Sequence, residues 1–69
     1  MIKLIDSFPN GSVQIAVVYA DTKAEVTNKA AVVAACKDLG GTLGAGSVIY
    51  TAKREVGILK SDDTIEWGD

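Results

Sequence analysis

Cys36 is the only plausible nucleophile in the chain, and the sequence contains no histidine to activate it. It falls on the apolar stripe of an expected helix, where a free cysteine usually serves as a small buried hydrophobe. Asp62, Asp63 and Glu66 form the densest acidic cluster, and oxygen ligands of this kind suit a hard cation. Their number falls short of a calcium loop, so they read as solvated turn residues. The stretch 40 to 46, with glycine at 40, 41, 44 and 46, resembles a phosphate cradle only superficially. It lacks the Gly-Lys-Ser/Thr ending of such loops and leads into a strand, so it reads as a helix stop followed by a flexible connection.

Contact with a partner is better represented among the side chains. Lys53 and Arg54 are adjacent cations at an expected hairpin tip, where a negatively charged partner could dock, although exposed charges of this kind are ordinarily just solvated. Tyr19, Tyr50 and Trp67 combine apolar area with a polar tip, a combination enriched at protein interfaces and equally useful in a small core. Trp67 suits either a cap on the core or an intersubunit contact. The candidate interaction residues are therefore Tyr50, Lys53, Arg54 and Trp67. No catalytic, cofactor or metal set is assigned, and the chain reads as non-enzymatic.

Charge and composition narrow the classes of partner. A formal net charge of -2 and a pI near 4.9 provide no basic field for a phosphate backbone, so nucleic acid is not expected as a partner. The longest nearly apolar runs, 13 to 20 and 30 to 36, are far shorter than the ~20 residues that cross a bilayer. No secretory signal is read at the start of the chain, where Asp6 interrupts the apolar stretch. The expectation is a soluble protein, cytoplasmic when made, without membrane partners. With 69 residues, 48% of them hydrophobic, the chain should fold as a single domain spanning 1–69. One cysteine allows no internal disulfide, so stability must come from packing or from self-association.

The elements that position these residues follow from periodicity. Ile2 to Asp6 reads as a short strand, and Phe8-Pro9-Asn10-Gly11 as the turn of a hairpin. Val13 to Tyr19 is apolar on both alternating faces and reads as a central strand. Thr22-x-x-Glu25 has capping-box spacing, so a helical turn is expected from Thr22, restarted or continued at Thr27 or Asn28 through Leu39. Val32, Ala35, Cys36 and Leu39 make its apolar stripe, closed by Gly40-Gly41. Ser47 to Ala52, Val56 to Lys60 and Thr64 to Trp67 read as three further strands. The predicted class is α+β: a mostly antiparallel sheet of about five short strands with one helix packed on it, in the order β-β-α-β-β-β.

Three segments carry a resemblance: Val18-Tyr-Ala-Asp-Thr-Lys-Ala-Glu-Val26, Gly46-Ser-Val-Ile-Tyr-Thr-Ala52 and Val56-Gly-Ile-Leu-Lys-Ser-Asp-Asp-Thr-Ile-Glu-Trp-Gly68. Together they resemble small structural and accessory virion proteins of tailed bacteriophages and prophages. Lys53-Arg54 stands where that pattern often has Asp-Gly, and Asp63 with Ile65 stands where it has Gly and Trp. The resemblance implies a non-enzymatic component of a phage particle, acting by self-assembly or by docking on a repeated surface. Its partners would be copies of itself or other virion proteins, and its destination the virion. A small cytoplasmic protein-binding module or regulator is the alternative, with the loop 40 to 46 and the Lys53-Arg54 tip as its contact region.

Overall fold

Strand β1 (Lys3–Asn10) reverses at Gly11-Ser12 into β2 (Val13–Ala20), with Asn10 opposite Val13 and Lys3 opposite Tyr19. The computed structural model describes residues 1–39 and 42–68 of the chain. Pro9 therefore lies inside a strand and not in the turn, as the sequence suggested. Proline is accepted there because β1 is an edge strand, and the left-handed backbone that the reversal requires is supplied by Gly11, at φ +65°. A register shift between Leu4 and Asp6 bulges β1 at Ile5.

After β2 comes a single 3-10 turn, Lys23–Glu25, and then the helix α1, Lys29–Ala35. The Glu25 carboxylate accepts the amides of Asp21 and Thr22 at 3.1 and 3.2 Å, which makes the expected capping contact, yet the turn stops at Val26. Asn28 starts the helix afresh by accepting the Ala31 amide on its side chain at 3.2 Å. The helix ends well before Leu39, because Cys36 leaves helical geometry at φ -110°, ψ 63°. Ala35 is consequently exposed, while Val32, Cys36 and Leu39 are buried as expected of the stripe. The anticipated glycine stop at 40 and 41 lies outside the described residues.

The chain returns through 42 to 47 to β3 (Val48–Thr51), followed by β4 (Val56–Leu59) and β5 (Ile65–Gly68). The sheet order is β1-β2-β3-β4-β5, with every neighbouring pair antiparallel except β2 and β3. The domain is thus α+β, a five-stranded and mostly antiparallel sheet with one helix. The helix lies after β2, and the helical turn expected from Thr22 is a separate 3-10 turn ahead of it. The parallel pair exists because the helix spans the crossover, returning the chain to the same end of the sheet.

The alternating residues of β2 to β4 divide the sheet into two unlike faces. Ala16, Val18, Ala20, Ile49, Thr51, Gly57 and Leu59 are buried on the helix side, where Val26, Val32, Cys36, Leu39 and Leu43 cover them. Ile65 and Trp67 of β5 extend this layer to the sheet's edge. The buried Ser47 joins the loop to the sheet, accepting the Ala16 amide at 3.0 Å and donating to the Gly44 carbonyl at 2.7 Å. Gly44 in turn donates to Gln14 at 2.8 Å, so the 42–47 stretch is anchored along β2 and is not the flexible connection its glycines suggested.

Candidate docking face

Among the described residues, no layer lies over the other face of the sheet. Its central strands place Val13, Ile15, Val17 and Tyr19 (β2), Val48 and Tyr50 (β3), and Val56 and Ile58 (β4) outward, without a single charge. Registered rows cross it: Val17, Val48 and Ile58 form one, Tyr19, Tyr50 and Val56 the next, and Phe8 of β1 lies beside Ile15. Tight neighbour spacing within these rows leaves most of the residues half-buried even without a covering layer. The larger side chains protrude: Phe8 is 50% exposed, Tyr50 45% and Ile58 47%. Lys3 and Asp6 on β1 and Glu66 on β5 bound the patch at its two edges. An apolar middle with a charged rim is the composition of a protein interface.

The candidate residues from the sequence divide between different surfaces. Tyr50 is in the middle of the open face. Trp67 is on the opposite side of the sheet, half-buried over Gly57 and against the core, so of the two roles considered its position matches the core cap. Its ring has the Lys23 ammonium 5.6 Å from the centroid, and the same ammonium lies 3.1 Å from the Glu55 carboxylate. Lys53 and Arg54 are exposed at the β3–β4 turn, between the two faces. That turn is built by its neighbours: the Thr51 hydroxyl donates to Glu55 at 2.9 Å, the Arg54 amide donates to Thr51, and Arg54 takes up a left-handed φ of 66°. The hydrogen bond from Thr51, followed by that from Lys23, holds the Glu55 carboxyl below its ordinary value.

The residues with chemical potential are engaged elsewhere. Burial, and then the charge of Asp38, pushes the Cys36 thiol up, away from the thiolate that attacks electrophiles. Asp62 closes the β4–β5 turn by accepting both the amide and the hydroxyl of Thr64, which lowers its carboxyl below the ordinary value. Glu66 points to the other side of β5, opposite Ile58. Among the described residues, no group of three or more His, Cys, Asp or Glu is placed to hold a metal ion. An open notch of about 490 Å³ lies between this turn and the start of α1, lined by Asn28, Lys29, Ala30, Asp62, Asp63 and Thr64.

Sequence reasoning passed over most of the open face because it read β2, apolar on both alternating faces, as a central strand, which does not say which of its faces is covered. The available signal was in β3 and β4, where Val48 with Tyr50 and Val56 with Ile58 each occupy alternate positions. These four align with the outward half of β2 only once the pairing register is known. No family model, curated protein or solved structure matches the chain. Among the described residues, no helix is long and apolar enough to cross a membrane.

Proposed function

We propose that the chain is a non-enzymatic structural protein that works by docking, an accessory component of a tailed-phage or prophage particle. The observation that carries this reading is the uncovered, uncharged middle of the sheet, with Tyr50 and Ile58 protruding from it. A domain that buries one face of its sheet and leaves the other apolar gains stability when a protein surface closes on it. The resemblance of 18–26, 46–52 and 56–68 to virion accessory proteins supplies the setting, a particle whose repeated surface offers many equivalent docking sites.

Mass spectrometry of gradient-purified particles from induced source cells tests the proposal. Enrichment of the protein in the particle band, at a ratio matching a shell or tail ring, is the expected result. Recovery only in the free soluble fraction would overturn it and favour the cytoplasmic binding module.

A further inference from the structure

We infer that the open face of the sheet is occupied by a second copy of this chain, giving a symmetric dimer with the two sheets face to face and the helices outside. The inference rests on the docking role proposed above and names the partner. Dimension is the first argument. Five strands at about 4.8 Å spacing, each contributing four residues at about 3.3 Å, make a face of about 300 Å² in projection. The longer β1–β2 ribbon adds on the order of 100 Å². Pleated side chains present more accessible area than their projection, so two such faces closing together approach the ~1,000 Å² that a specific interface requires. A larger partner could not bury more of this domain through the same face.

Composition is the second argument. A two-fold axis sets one patch against itself, which demands a patch without net charge in its middle. Val17, Val48, Tyr50 and Ile58 meet that demand, and the sheets would interdigitate across about 10 Å as in a β-sandwich. The rim carries both signs, with Lys3 and Asp6 on β1 and Glu66 on β5. An axis across the strands, between the Val17 and Tyr19 rows, lays each β1 rim in reverse over the partner's β1 rim, so the basic Lys3 of one copy faces the acidic Asp6 of the other. An interface of this size lies at the low end for specific complexes, so a reversible dimer is expected.

Sedimentation equilibrium of the full chain over a concentration series tests the inference. The expected result is a monomer–dimer equilibrium in which Ile58→Lys and Tyr50→Lys each weaken association at least tenfold, as truncation of a central contact does. Ala34→Lys, on the exposed side of α1, should leave it unchanged. Trp67 lies on the opposite side of the sheet, so its emission confirms that each variant is folded independently of association. For the unsubstituted chain, the methyl resonances of Val17, Val48 and Ile58 should shift with concentration. A monomer at every concentration, methyls that do not shift, or a dimer indifferent to both lysines would overturn the inference. A monomer recovered in particles overturns the dimer while leaving the virion role standing, with another virion protein as occupant. A dimer absent from particles upholds the inference and removes the virion role.

Discussion

Gly57 and Trp67 stand directly opposite each other across β4 and β5, so close that a Cβ built on the glycine would lie 2.8 Å from Cε3 of the indole. The same Cβ would lie 2.8 Å from Cγ2 of Ile65. The glycine is the floor on which the edge of the core layer rests. Gly57→Ala should therefore destabilise the domain by about 1–3 kcal/mol, because a branched side chain and a rigid ring must both move to admit one methyl. The measurement is urea denaturation followed by Trp67 emission, with a lower midpoint at an unchanged slope as the expected outcome.

Ser47→Ala should cost about 1–3 kcal/mol, although it removes one atom. The hydroxyl is the acceptor for the buried Ala16 amide, in the middle of the sheet, and alanine leaves that N–H without a partner. Amide hydrogen exchange checks this locally: Ala16 should lose protection by more than the residues of β4 do.

Asn28→Ala should cost about 1 kcal/mol through loss of the side-chain bond to the Ala31 amide, and Asn28→Asp should retain most of the stability. Thermal unfolding of the pair distinguishes a capping effect from a general effect of substitution, because only the alanine variant loses the acceptor.

The domain should lose stability on acidification below the ordinary carboxylate range. Glu55 and Asp62 both have folded-state values lowered from 4.5 and 3.8, the first by Thr51 and Lys23 and the second by Thr64. A lowered value means that the unfolded chain binds protons first. Their contribution is present above those ordinary values and disappears as pH falls through the lower folded ones. Asp62 is exposed and Glu55 only half-buried, so the effect is small, and salt-sensitive where Lys23 is involved. Comparing Glu55→Gln with the unsubstituted protein in denaturant at pH 7 and at acid pH should show a smaller loss on acidification in the variant.

The elements were legible in the sequence because each is declared by local physics. Alternation marked β2 to β5, the Asn28 cap lay within the expected restart of α1, and Asp62 with its neighbours marked the last turn. Local signals became misleading where a long-range neighbour decides the outcome. Pro9 reads as a turn residue until β1 is known to be an edge, and the glycines before Ser47 read as slack until their amides are seen bonded to Gln14 and Leu59. The helix likewise reads to Leu39 on periodicity, but ends at Ala35 because Cys36 and Leu39 reach the core through a turn.

What the sequence determined by itself was therefore an α+β domain with one helix, since hydrophobic period and capping chemistry act over a few residues. Only the tertiary structure decided which half of each strand is covered. One helix of seven residues shields a single face, and the crossover places it on the side of Ala16, Val18 and Ala20. The apolar residues of the other half are indistinguishable from core by type. They become a surface because, among the described residues, no second layer lies over them.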